Sequence, residues 1–267
     1  MPRRLKWGPP LVVFAVVIAM WYAVTYLLLA PDRRFLLPPP HAIVRVAVLD
    51  RANLGELLNA LLLSATVAAI GLGIAVGIGM AAAIAMSQAR WIERSIYPYL
   101  VVLQTIPVLA LVPLFGFWFG FGLTSRVLVC VLVALFPIVA NTLFGLRSVA
   151  AVHHELFTFH RAGRWTRLVK LQLPAALPAI FTGLRISAGL SVIGAIVGDF
   201  FFKQGEPGIG ILIDVYRQRL QSEQLFAAVI LSSLLGVFVF WFFGFAGHRA
   251  TAAWHESALE PVGRDPT

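Results

Sequence analysis

Long apolar runs decide what this chain can fold into. Crossing a bilayer takes about 20 apolar residues in a helix. Six runs of that kind are read near residues 9–30, 57–86, 97–121, 123–145, 178–202 and 225–247. In hydrocarbon every backbone N–H and C=O must find its partner inside the protein, so each run is expected to be helical. The fold class is therefore all-α, a polytopic membrane protein of about six transmembrane helices. Composition agrees: 12% of the residues are charged and 60% are hydrophobic, with a mean hydropathy of +0.87. A soluble domain carries about 25% charged residues, so too little charge remains here to cover a water-facing surface. The third and fourth runs are parted only by residues 120–126. Small-xxx-small spacings recur in GFWFG (116–120) and GAIVG (194–198), where they let helices approach closely. Packing within one subunit is the expected use, ahead of a dimer seam.

Six spans place both termini on one side. With the termini in the cytoplasm, the inner segments hold Arg3, Arg4, Lys6, Arg90, Arg94, Arg147, Arg161, Arg164, Arg167, Lys170, Arg249 and Arg264. The outer ones hold Arg33, Arg34, Arg45, Arg51, Arg126, Lys203, Arg217 and Arg219. Twelve against eight is a modest bias with the sign of the positive-inside rule. The outer set is nearly balanced by Asp32, Asp50, Glu56, Glu206, Asp214 and Glu223. A basic cytoplasmic face accounts for the pI near 10.6 without nucleic acid. The first run follows RRLK but is longer than a signal peptide's core and lacks a clear cleavage site, so it is read as a retained anchor. The single cysteine, Cys130, lies inside the fourth run and supports neither an intrachain disulfide nor a cysteine metal site. The organisation expected is an N-terminal segment 1–8, a six-helix transmembrane domain 9–247 and a C-terminal tail 248–267, with both ends cytoplasmic.

Three connecting segments carry information. Pro38, Pro39 and Pro40 stop the first helix, and residues 42–49 are read as a short helix on the outer surface. KQGEPGIG (203–210) reads as a turn, followed by an amphipathic stretch that re-enters or rests on the outer face. The longest cytoplasmic loop, 147–175, is the most informative. In HHELFTFHRAGRWTRLVKLQLP the residues Leu156, Phe159, Ala162, Trp165 and Leu168 recur every third position, with charged and polar residues between them. That pattern predicts an amphipathic helix of about four turns, with a break near Gly163 and an end before Pro174. Its apolar stripe must meet the membrane surface or a partner protein.

At this loop the chain resembles the permease subunit of a binding-protein-dependent ABC importer. The resemblance is closest to the group serving nitrate, sulfonates, taurine and thiamine-related pyrimidines. Those permeases carry a cytoplasmic motif E-A-A-x3-G-x9-I-x-L-P. Anchored on Leu173 and Pro174, its glutamate falls on Glu155, and the RW pair common in the group falls on Arg164 and Trp165. LPPPHAIV, IPVLALVPLFGFWFGFG, NTLFGLRSV and GAIVGDFF extend the likeness over most of the chain. Two departures stand out: Leu156 and Phe157 replace the alanines, and Arg161 replaces the glycine.

The resemblance implies a coupling helix seated in a cleft of a separate ATPase subunit. Glu155, Leu156, Phe157, Phe159, Arg161, Arg164, Trp165, Leu173 and Pro174 are then the ATPase-coupling candidates. It further implies a second permease copy, identical or not, and an extracytoplasmic solute-binding protein, in a bacterial inner membrane. No G-x-x-x-x-G-K-[ST] loop is present, so this chain is expected to bind no cofactor, with ATP and magnesium on the partner ATPase, and to be no enzyme itself. Leu173 and Pro174 are expected to end one helix and turn the chain into span five. Gln104, Asn141, Arg185 and Asp199 are polar residues in or beside the spans and candidates for the translocation path. For each the plainer reading stays open: an interhelical hydrogen bond for Gln104 and Asn141, snorkelling for Arg185, an interface marker for Asp199. HHELF lacks the second histidine of H-E-x-x-H, so no metal site is expected. An ion-driven secondary carrier is the alternative function, although it usually shows buried acids at the midplane. A non-transporting scaffold would leave the intramembrane polar residues without a purpose.

Overall fold

The computed structural model describes residues 8–252. The expected N-terminal segment and most of the C-terminal tail, with Arg3, Arg4, Lys6 and Arg264, lie outside them. Helix α1 (Gly8–Ala23) runs through a π-wound turn, Val24–Leu28, and together they are long and apolar enough to cross a membrane. A 3-10 turn (Pro31–Leu36) leads to α2 (Pro40–Val44) and a second π turn (Arg45–Leu49). Helicity over 42–49 is as expected, but its placement is not superficial. Ile43 and Ala47 are buried in a cluster with Leu57, Ile209, Leu212 and Tyr216.

Helix α3 (Arg51–Gln88) opens on Asp50, whose carboxylate accepts from the backbone N–H of Ala52 at 3.0 Å and of Asn53 at 3.4 Å. That is an N-cap, satisfying donors no helical carbonyl can reach. At about 1.5 Å per residue its 38 residues project well past the hydrocarbon layer.

The expected span 97–121 is not one rod. Helices α4 (Arg90–Thr105) and α5 (Val108–Phe119) meet at an angle of 100°. Ile106 precedes Pro107 and is extended at φ −68°, ψ 128°, the conformation a following proline ring favours over the helical one. Among the described residues five helices are long and apolar enough to cross a membrane, or six if this bent pair counts as one span.

Gly120, at φ 84°, ends α5, and α6 (Leu123–Arg147) follows, placing the boundary between runs three and four where it was read. Helix α7 (Ala151–Phe159) and the short α8 (Arg164–Arg167) form the long loop after α6. Contrary to expectation, Leu173 and Pro174 end nothing. Helix α8 passes through a π turn (Leu168–Gln172) straight into α9 (Leu173–Phe201), giving one continuous span of 38 residues. The wide turn explains how proline is accommodated. The Leu173 N–H bonds Leu168 O five residues back, so the winding is already loosened where the Pro174 ring would strike the preceding turn. Helices α10 (Ile209–Gln218) and α11 (Ser222–Thr251) complete the described chain.

The core is α3, α6 and α9 packed side by side, with α11 on α9. Small residues set the spacing. A Cβ on Gly194 would stand 3.0 Å from Cys130 Cα, and one on Gly198 would stand 3.1 Å from Arg126 Cα. GAIVG therefore serves packing within the subunit, as expected.

Candidate functional site

The α7–α8 loop presents an apolar face that nothing in the described chain covers. None of the residues of α7 is buried. Val152 is 71% exposed, Leu156 52%, Phe159 84% and, beyond the turn, Trp165 76%. Phe157 is half-buried and Glu155 exposed. Leu168, expected on the same stripe, instead faces inward. It is buried with Leu146, Ala176 and Ile180, because the chain reverses between α7 and α8 and the three-residue period does not survive the turn.

The turn is a Schellman motif. Arg161 N–H bonds Thr158 O and Ala162 N–H bonds Phe157 O, both at 2.9 Å. Arg161 sits at φ 50°, in the left-handed region where a Cβ is strained. The position where this chain departs from the expected glycine is thus one whose backbone favours glycine. The Arg167 Nε–H donates to Ala162 O at 3.1 Å and closes the turn. Gln88, at the end of α3, bonds Gln172 Oε1 at 3.2 Å, and Arg147 pairs with Glu93 across α6 and α4. Leu173 and Pro174 are half-buried within α9. The loop is fixed at its base and bare at its tip.

The opposite end of the bundle holds a polar cluster that sequence reading missed. Arg126, counted there among the cations of the outer segments, is 2% exposed and pairs with Asp199, fully buried, at 3.1 Å. Its guanidinium also donates to Phe202 O (Nε at 3.1 Å, Nη2 at 2.6 Å), Gln204 O at 2.9 Å and Glu206 O at 3.2 Å. On the other side of the carboxylate, Ser64 of α3 donates to Asp199 Oδ2 at 2.5 Å and accepts from the Ile209 N–H at 2.8 Å. A side chain on Gly208 would run into the Asp199 carboxylate, so PGIG is shaped to this contact. The cluster pins the 203–208 turn and α10 onto α3, α6 and α9. The available signal was an acid and a base of opposite sign at the outer ends of neighbouring runs. Ser64 gave none.

Beside the same turn the buried Asp214 pairs with the exposed Lys203 and Arg217, whose contacts hold its carboxyl below the usual range. Tyr216 donates to Glu56 Oε2 at 3.1 Å, and burial, then the Glu56 charge, raises its phenol to about 12.

The four path candidates do not share one cavity. Gln104 lines a space of about 220 Å³ with Val133, Phe136 and Leu190, between α4, α6 and α9. Asn141 is turned onto its own helix, donating to Pro137 O at 2.8 Å. Arg185 stacks on Phe240 of α11, and Asp199 is spent on Arg126. Burial and pairing, which no single-residue reading anticipates, separate them.

An all-helical bundle of five or six candidate spans, with a bare apolar connecting loop, defines a polytopic membrane protein. The chain belongs to the family of binding-protein-dependent transport system inner membrane components, which residues 73–251 match. It is 36% identical over 243 residues to the formylaminopyrimidine transport permease protein ThiX of Halalkalibacterium halodurans (90% of this chain, 93% of that one). It is 37% identical over 236 residues to the riboflavin transport system permease protein RibX of Chloroflexus aurantiacus (87% and 86%). Over 246 residues it is 28% identical to the taurine transport system permease protein TauC of Escherichia coli (87% and 88%). It is a multi-pass inner-membrane permease of the ABC importer class, in the nitrate, sulfonate and taurine group.

Proposed function

We propose that this chain forms half of a translocation path for a small organic solute and is driven by a separate ATPase. A second permease copy completes the path, and an extracytoplasmic binding protein delivers the solute. The observation that carries the ATPase assignment is the α7 face. Four large apolar side chains stand exposed on a loop whose base is tied to α3, α6 and α9, so force applied at the tip reaches three spans. Exposed patches of that kind mark protein interfaces. Glu155, Arg161 and Arg164 flank the face and supply polar contacts at its rim. With α4 and α5 counted as one span, both termini and α7 lie in the cytoplasm, where ATP is. The names of the relatives support a solute of the size of a pyrimidine, a flavin or taurine, selected by the binding protein.

Purified chain is reconstituted in vesicles with a candidate ABC ATPase and a candidate solute-binding protein from the same organism, and solute uptake is followed with and without internal ATP. The expected result is uptake that requires all three proteins and ATP. Uptake by this chain alone under an ion gradient contradicts the proposal and favours a secondary carrier. A reporter inserted at residue 160 is expected to respond as cytoplasmic, and an extracytoplasmic response overturns the orientation.

A further inference from the structure

Arg185 is the one arginine of α9, and its head group is provided with an aromatic face but no anion. Its Cζ lies 3.8 Å from the centroid of the Phe240 ring on α11. Its Nε is buried and has no hydrogen-bond partner, and among the described residues no carboxylate lies within ion-pair distance of the guanidinium. Arginine keeps its charge at any accessible pH and carries five donors, so an anion is the chemistry this group is built to meet.

Beside it is a cavity of about 210 Å³ between α9 and α11, lined by Arg185, Thr182, His248 and Thr251 among others. Gly244 faces the guanidinium, and a Cβ there would stand 3.3 Å from it, so the space exists because that side chain is absent. Thr182 and Thr251 direct their hydroxyl hydrogens to Pro178 O and Gly247 O, at 2.9 Å each, which leaves oxygen lone pairs and not donors toward the cavity. The donors available to a ligand are therefore Arg185 and His248. Nothing carboxylic lines the space.

The depth selects the ligand. Gly244 lies two turns from Thr251, where α11 ends, at roughly 10 Å by the helical rise of about 1.5 Å per residue. A long basic side chain that far inside the end of a spanning helix is within reach of headgroup phosphates, and this end of the bundle also bears Arg164, Arg167, Lys170 and Arg249. Basic pockets between spanning helices at that level take lipid phosphates. We propose that the α9–α11 cavity binds the phosphodiester of an anionic phospholipid, with Arg185 as the principal donor and Phe240 holding the guanidinium in place. The site lies apart from the α7 face and does not depend on the ATPase assignment.

The test uses the full chain in detergent, with dioleoylphosphatidylglycerol or dioleoylphosphatidylcholine added and the retained lipid counted by native mass spectrometry. Wild type is expected to retain the glycerol lipid about fivefold over the choline lipid, the preference one basic side chain gives at an anionic surface. Arg185→Gln is expected to abolish that preference. Gly244→Val fills the cavity while leaving the charge, and is expected to abolish it too, so the test stands if Arg185→Gln does not fold. Equal retention of the two lipids by wild type, or an undiminished preference in either variant, overturns the proposal. Inorganic phosphate alone is run in parallel on the lipid-free protein. Thermal stabilisation that Arg185→Gln removes assigns the site to a free anion and overturns the lipid.

Discussion

Replacing Arg126 by methionine removes the cation of the buried cluster and keeps much of its bulk. The structure sets the magnitude. Asp199 is left as a carboxylate with no exposure, keeping the Ser64 hydroxyl and a long 3.4 Å contact from the Gly210 N–H. Breaking one partner of a buried pair costs about 3–5 kcal/mol. The carbonyls of Phe202, Gln204 and Glu206 lose their donor as well. Asp199→Asn is milder, because the amide oxygen still accepts from Ser64 and Arg126 keeps its carbonyl contacts. About 1–3 kcal/mol is expected for it. Arg126→Met with Asp199→Asn removes both charges and should fall short of the summed single effects by about 0.5–3 kcal/mol. Unfolding in mixed micelles of increasing dodecyl sulfate, followed by tryptophan fluorescence, closes this cycle. Effects that add to within about 0.5 kcal/mol, or an Arg126→Met loss below about 1 kcal/mol, would refute the reading that these groups stabilise each other.

Arg161→Gly relieves the left-handed strain at the α7 C-terminus and should stabilise the protein by up to about 1 kcal/mol; a lowered thermal midpoint contradicts this. If an ATPase carboxylate also meets the guanidinium, Arg161→Glu lowers solute-stimulated ATP hydrolysis, and unchanged stimulation removes Arg161 from the docking surface. Gly208→Ala places a methyl against the Asp199 carboxylate and should cost about 1–3 kcal/mol, read in the same micelle titration; no change would mean the turn has room that the structure denies. Asp214 has its carboxyl held low in the folded state, so its stabilisation is present above the ordinary carboxylate value of about 3.9 and is lost as pH falls through the folded one. Lys203 and Arg217 are more than half exposed, which keeps the effect under about 1 kcal/mol. Asp214→Asn should flatten the acid side of the stability profile, and an unchanged profile would place the acid sensitivity elsewhere.

The spans were legible because lipid imposes a length and a polarity that hydropathy reads directly. Hydropathy is blind to direction, so the 100° bend at Ile106 went unread within an unbroken apolar run, although the Ile106–Pro107 step carried the signal. The α7–α8 loop was half legible. Its three-residue stripe correctly pointed to an uncovered apolar face at Leu156, Phe159 and Trp165. Leu168 fell on the wrong side because the reversal at Arg161 resets the register. Pro174 misled for a related reason: a proline ends an ideal α-helix, but a preceding π turn absorbs it. Arg126 and Asp199 come from helices far apart in sequence, and only packing of α6 on α9 reveals that each is the other's counter-ion. Arg185 was read as snorkelling or lining a path, and no sequence signal pointed to the aromatic ring of Phe240 on which it stacks.

The central claim is that the bare face of α7 and α8 is where an ATPase takes hold, and Phe159→Asp tests it most directly. Phe159 is 84% exposed and touches no part of the core, so an aspartate there leaves the spans intact and puts a charge in the middle of the docking surface. The variant is expressed with the ATPase, and co-purification and solute-stimulated ATP hydrolysis are measured against wild type. The account predicts membrane insertion at normal levels, with the ATPase lost from the complex or its hydrolysis no longer answering to solute. A Phe159→Asp permease that retains its ATPase and transports as wild type would contradict it.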